Sequence, residues 1–236
     1  MKILFFSALF VLGLSTLQAQ PGQIETKKDA EGIPVKVMFE KGETHNHPLL
    51  VIWLQDKEGN YIETLYVARS IATSKYKFGK AEKGVWQAGV HRRPAALPYW
   101  AHNRGKMAPD SLFIPHPDDP MSDAITGPTP KSNFTLKSVL PKNIETPFYV
   151  LLEINQPWDW NEYWTNARFP NDKEYKTSAQ PAVVYRAKVT SLKQSEIPMK
   201  LVGRSHHSGK DGKLYKDTET LTTAKNIVKS VKVILP

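Results

Sequence analysis

Apolar and polar residues alternate along several short stretches of this chain. In VKVMFEK (Val35–Lys41), Val35, Val37 and Phe39 fall on one face, the period-two signature of a half-buried strand. PLLVIWLQD (Pro48–Asp56) is apolar almost throughout, as a central strand would be. A polar tetrad with one glycine, KEGN, separates it from YIETLYVAR (Tyr61–Arg69), which predicts a β-hairpin. Strands are also predicted at FTLKSVL (Phe134–Leu140), FYVLLEIN (Phe148–Asn155), MKLVGRS (Met199–Ser205) and IVKSVKVIL (Ile227–Leu235). AVVYRAKV (Ala182–Val189) adds one with Val183, Tyr185, Ala187 and Val189 on one side and Arg186 and Lys188 on the other. Strands without helical periodicity between them predict an all-β fold, an antiparallel sandwich.

From Ser70 to Lys131 the pattern breaks down. RRPAALPYW, FIPHPDDP and TGPTP punctuate it with proline, which removes a ladder donor and disfavours helix in the residue before it. One short helix near Ala95–His102 is expected, with the rest as long irregular loops at the edge of the sandwich. The resulting layout is a signal peptide over 1–19, a flexible lead-in over 20–34 and a single sandwich domain over 35–236.

The first of these rests on MKILFFSALFVLGLSTLQAQ, where Lys2 precedes an apolar run from Ile3 to Leu14 and small residues end at Ala19. That is the arrangement of a secretory signal, and the run is short of the roughly 20 residues a membrane span needs. Cleavage after Ala19 predicts a periplasmic or secreted protein with no membrane span. No cysteine is present, which excludes disulfides, thiol catalysis and thiolate metal sites. With 40% apolar residues, stability must come from packing and sheet hydrogen bonds. The formal charge is +9. This fits an anionic partner and equally an ordinary basic secreted protein, since the lysines are scattered. No nucleic-acid-binding motif accompanies the charge, so nucleic acid is not expected as a partner.

No nucleophile elbow, metalloprotease helix or phosphate loop occurs, and no catalytic residues are assigned. Two candidate sites remain. In HNH, His45 and His47 would project from one face of an extended segment and could bind a divalent Zn, Cu or Ni ion. A third ligand would come from His91, His102, His116, His206 or His207, with Asp118 or Asp119 as carboxylates. No other cofactor is called for. DGKLYKD lacks the acids of a calcium loop and predicts a hairpin turn at Asp211-Gly212.

The second candidate is WDWNEYW (Trp158–Trp164), either a corner plug capped by Asp159, Asn161 and Glu162 or a stacking platform. Strand alternation would bury Trp158 and Trp160 together and leave Tyr163 and Trp164 at the rim beside Asn166 and Arg168. Arg92, Arg93 and Trp100 complete the predicted ligand- or partner-binding set.

The segments VIWLQDKEGNYIETLYV, HRRPAALPYW, DAITGPTP, YVLLEINQPWDWNEYW, QPAVVYRAKV and TTAKNIV run in that order from about Val51 to Val228. Together they resemble a family of periplasmic bacterial proteins, domain of unknown function 2271. The chain departs from that pattern at Pro128 and before Phe148. The resemblance implies an immunoglobulin-like sandwich. It also implies association with an envelope membrane protein of a PepSY-type, flavin-linked redox or metal-uptake system. It brings no catalytic residues. Together these readings predict an exported, non-enzymatic binding or accessory protein, with a histidine-based metal protein or metal-dependent enzyme as the alternative.

Overall fold

The computed structural model describes residues 22–236; the expected signal peptide lies outside them. Two sheets face each other. One contains β1 (Gly22–Glu25), β2 (Ile33–Lys41), β8 (Phe134–Leu140), β11 (Ser195–Pro198) and β13 (Val228–Leu235), in the order β1-β8-β2-β13-β11. The other contains β3 (Leu49–Gln55), β4 (Tyr61–Ala68), β7 (Thr126–Gly127), β9 (Phe148–Asn155), β10 (Val183–Val189) and β12 (Lys200–Arg204), in the order β12-β10-β9-β3-β4-β7. The all-β sandwich is therefore correct, and every strand read from the alternation is present.

Two edge pairings differ from the expected antiparallel pattern: β1 lies parallel to β8, and β7 parallel to β4. The first also corrects the flexible lead-in. Residues 22–25 form a strand, and the Thr26 and Ser138 hydroxyls hydrogen-bond at 2.9 Å just beyond it. The polar composition of this segment suits an edge strand, half of whose surface faces water.

Alternation explains how the two sheets meet. Val35, Val37 and Phe39 from β2, Val231, Val233 and Leu235 from β13, and Leu50, Ile52 and Leu54 from β3 all enter one core between the sheets. On β3 the intervening residues Leu49, Val51 and Trp53 enter a second core. Hence every residue of β3 is buried.

The second core shows what the proline-rich excursion does. It is not an edge loop, as expected, but a layer over the outer face of the six-stranded sheet. Ala96, Leu97, Trp100, Ala101 and Ile114 pack on Trp53, Val67, Leu151 and Val184. The excursion carries α1 (Arg69–Thr73), a separate hairpin of β5 (Lys75–Glu82) and β6 (Val85–Val90), and α2 (Pro98–Asn103). The helix expected near 95–102 is α2. Its first turn is held by fully buried Glu153 on β9, which accepts hydrogen bonds from the backbone N–H groups of Tyr99 (3.1 Å) and Trp100 (2.8 Å).

The hairpin of β3 and β4 closes as the sequence predicts. Asp56 accepts from the N–H groups of Glu58 and Asn60, and Asn103 on α2 donates to the Gly59 carbonyl. No helix among the described residues is long and apolar enough to cross a membrane.

Candidate functional site

Trp158 takes φ = 64°. One left-handed residue breaks strand alternation, so Trp158 and Trp160 do not share a side. Trp158 is 54% exposed, while Trp164 is only 2% exposed. Trp160 is half-buried and meets Tyr175 edge-on at 5.6 Å. The expected division of labour is reversed: Trp164 is the plug and Trp158 the surface residue.

The plug reading holds for Asp159 and Asn161 but not for Glu162. Asn161 accepts from the Tyr163 and Trp164 N–H groups and donates to the Thr220 carbonyl and Thr222 hydroxyl. The Trp164 indole donates to Thr220 at 3.0 Å. Asp159 accepts from Thr223 at 2.5 Å. Glu162 is exposed and makes no such bond.

Three other members of the predicted binding set are committed to the fold. All five N–H donors of Arg92 are used, on both Asp110 oxygens, the Ser74 hydroxyl and the Pro115 and Ile114 carbonyls. Arg93 is buried, with its guanidinium 4.9 Å from the Tyr76 ring. Trp100 is fully buried and donates to Thr64. These residues tie the covering layer down and have no free face for a partner. Tyr163, Asn166 and Arg168 do reach solvent.

The histidine pair does not form a shared face either. HNH lies in a turn rather than on a strand. His45 is buried against Phe39 and donates through Nε2 to the Pro130 carbonyl (3.1 Å). His47 is exposed and pairs with Asn46. His91 packs edge-on to Tyr76, His102 lies on Phe113, and His116 Nδ1 accepts from the Asp118 N–H. Among the described residues no three His, Cys, Asp or Glu side chains come together in a metal-binding group. His45, tied to the Pro130 carbonyl, and exposed His47 do not form the predicted metal-binding pair.

What the structure does assemble is a cleft that no single motif announced. Trp164 and the loop after it lead into α3 (Tyr175–Ser178), which feeds β10. At the end of β12 the chain leaves at Arg204, loops out and returns, so that Arg204 and Tyr215 exchange backbone hydrogen bonds of 2.8 Å. The expected turn at Asp211-Gly212 is thus part of a wider loop, in which Asp211 accepts from the Lys213 N–H and the Tyr215 hydroxyl. Gly209 anchors this loop: with φ = 76° and the Pro94 carbonyl 2.2 Å from where a Cβ would stand, no larger residue fits.

The two loops enclose an open cleft of about 690 Å³ lined by Arg168–Lys173, His206, His207 and Lys210. Its floor is a stack. His207 lies flat on Phe169 (4.0 Å, 7°), and His206 stacks on His207 at 4.3 Å. Trp164 and Tyr175 support the stack from within, 6.3 Å and 5.7 Å from the His207 ring. Arg168 lies 4.3 Å from the Trp164 ring and donates to the Tyr163 carbonyl.

Both histidines are shifted toward the neutral form. Burial is the main cause and pushes His207 down to about 4, helped by His206 and opposed by Asp172. Burial lowers His206 as well. The Ser208 N–H donates to His206 Nδ1 at 3.1 Å, which leaves that nitrogen as an acceptor and the proton on Nε2. The cleft's charge therefore comes from Arg168, Lys173 and Lys210 against Asp172 alone. Asp172 is itself engaged, accepting from the Tyr175 N–H at 3.0 Å.

Pieces of both halves are legible in the sequence: Asn166 and Arg168 beside WDWNEYW and, separately, His206 and His207 as candidate metal ligands. Nothing in the spacing joined them, because α3, β10 and β12 lie between. Comparisons of the chain with family profiles, curated proteins and solved structures found no match.

Proposed function

We propose that this is an exported binding protein of the bacterial envelope, whose cleft between residues 168–173 and 206–210 takes a carboxylate- or phosphate-bearing ligand. One observation carries the reading: three cationic side chains and one acid line a cleft floored by a stacked histidine pair. Cations in a concave site concentrate anions. The flat, half-buried rings give a ligand an apolar floor, and neutral imidazoles add hydrogen-bonding groups without adding charge. The leader-like N-terminus supports export. The ordered segments that resemble domain of unknown function 2271 support an immunoglobulin-like kinship and service to a membrane-bound redox or metal-uptake system.

Citrate and inorganic phosphate are suitable first probes. Calorimetry at low salt is expected to show binding that weakens steeply as salt rises. A Lys173→Ala/Lys210→Ala variant should lose about tenfold in affinity, as expected if each charge contributes on the order of 0.5–1 kcal/mol. Equal binding by the variant, or none by the wild type at millimolar ligand, would remove the cleft as an anion site. Pull-down from envelope membranes checks the partner separately.

A further inference from the structure

The hairpin of β5 and β6 belongs to neither sheet. Among the described residues eight large apolar side chains stand exposed, and four of them are here: Phe78 (58%), Val85, Trp86 (57%) and Val90. Such a concentration on one small element marks a contact surface. The pairing of Ala81 with Trp86 and the alternation along β6 set Trp86, Ala88, Val90 and Ala81 on one face, while Phe78 and Val85 stand exposed elsewhere on the same hairpin, so that its apolar surface wraps the element. A two-stranded hairpin is marginal alone. This one is well defined at both ends. Its tip, Lys83-Gly84, has φ = 49° and 78°, the two positive values of the tight turn that suits a twisted hairpin. Its root is fixed where Tyr76 meets Arg93 and His91 and where the His91 N–H donates to the Ser74 carbonyl at 2.9 Å.

Charge identifies what the hairpin meets. Residues 75–90 carry four lysines, one glutamate and no arginine. Lys80 pairs with that glutamate, Glu82, while Lys75, Lys77 and Lys83 form no ion pair among the described residues. Protein interfaces are enriched in arginine and depleted in lysine. Exposed tryptophan and phenylalanine interleaved with lysine instead suit a lipid headgroup layer, where aromatic rings settle at the boundary and ammonium groups stay hydrated beside anionic phosphates. We propose that the β5–β6 hairpin docks the protein on an anionic membrane surface, with Phe78 and Trp86 entering the headgroup layer and the lysines pairing with lipid phosphates. The hairpin acts independently of the anion-binding cleft.

Flotation with vesicles of phosphatidylcholine, with and without roughly a quarter phosphatidylglycerol, tests this directly. The wild-type chain should float with the anionic vesicles, much less with neutral ones, and be released by high salt. Phe78→Ser/Trp86→Ser should reduce the bound fraction about tenfold with unchanged circular dichroism and melting temperature. Lys77→Gln/Lys83→Gln offers a second route should the first variant fail to fold, and should weaken binding only to anionic vesicles. All the chains carry the same N-terminus, so any contribution from residues 1–21 cancels in the comparison. Equal flotation of wild type and variants, or no flotation of the wild type, would overturn the proposal. So would self-association that the serine variant abolishes, since the face would then be a contact between copies.

Discussion

Two aromatic-rich segments of this chain meet opposite fates. WDWNEYW carries four aromatics in seven residues. Its central feature, Trp164, disappears under Asn161, Thr220 and the histidine stack. The β5–β6 hairpin is poorer in aromatics, yet Phe78 and Trp86 remain in water. Aromatic density therefore does not mark a binding surface. What matters is whether another part of the chain arrives with shape and hydrogen-bond partners for the ring. The loop through Thr220–Thr223 does so at the corner, and among the described residues none does so at the hairpin.

The largest effect should separate the two tryptophans of the corner itself. Trp164→Ala is expected to cost about 3–5 kcal/mol, the range for truncating a buried large aromatic, and Trp158→Ala less than about 0.5 kcal/mol. Denaturant unfolding of both variants measures this, and equal losses would erase the distinction drawn here.

The next effect concerns the layer that carries the hairpin. Burial pushes the Glu153 carboxyl to about 8, above its ordinary value of about 4.3. A raised folded-state pKa favours the protonated form, so this contribution is complete below about pH 4.3 and is lost as pH rises through about 8. The slope approaches 1.4 kcal/mol per pH unit inside that window. Glu153→Gln should abolish it, which unfolding curves from pH 5 to 8 would show. An unchanged slope in the variant would place the proton elsewhere.

The cleft should respond in the opposite sense. His207 is held down at about 4, so its contribution is present above about pH 6.5 and lost as pH falls toward 4. His207→Gln should flatten that acid-side loss, by less than the Glu153 effect because the ring is partly exposed. Stability profiles of the two single variants and the double variant separate the opposing slopes.

The smallest change belongs to the hairpin. Trp86→Ala should alter stability by no more than about 0.5 kcal/mol, and a larger loss on unfolding would mean that its face is covered after all.

Sequence alone determined much of the fold. Alternation, with one apolar run for β3, placed the sandwich strands except the short β1, β7 and β11, because a strand that buries one face must write that face into every second residue. It also exposed the hairpin at KEGN and, near Ala95–His102, the helix that forms as α2, through local turn chemistry and proline. The hairpin of β5 and β6 went unread. A two-residue Lys-Gly turn was its signal, but its strands bury neither face and so leave no alternation to find.

Tertiary structure decided the rest. The proline-rich excursion covers a sheet face, a fact visible only as the apolar run Leu49–Leu54 of β3. The left-handed backbone of Trp158 reversed the burial order of its segment. Arg92 has every donor used by residues 18 to 23 positions away. The cleft joins Phe169 to His207 across 38 positions. Periodicity reports how each residue faces its own element. Sites depend on which distant elements meet, and that is settled only when the two cores close.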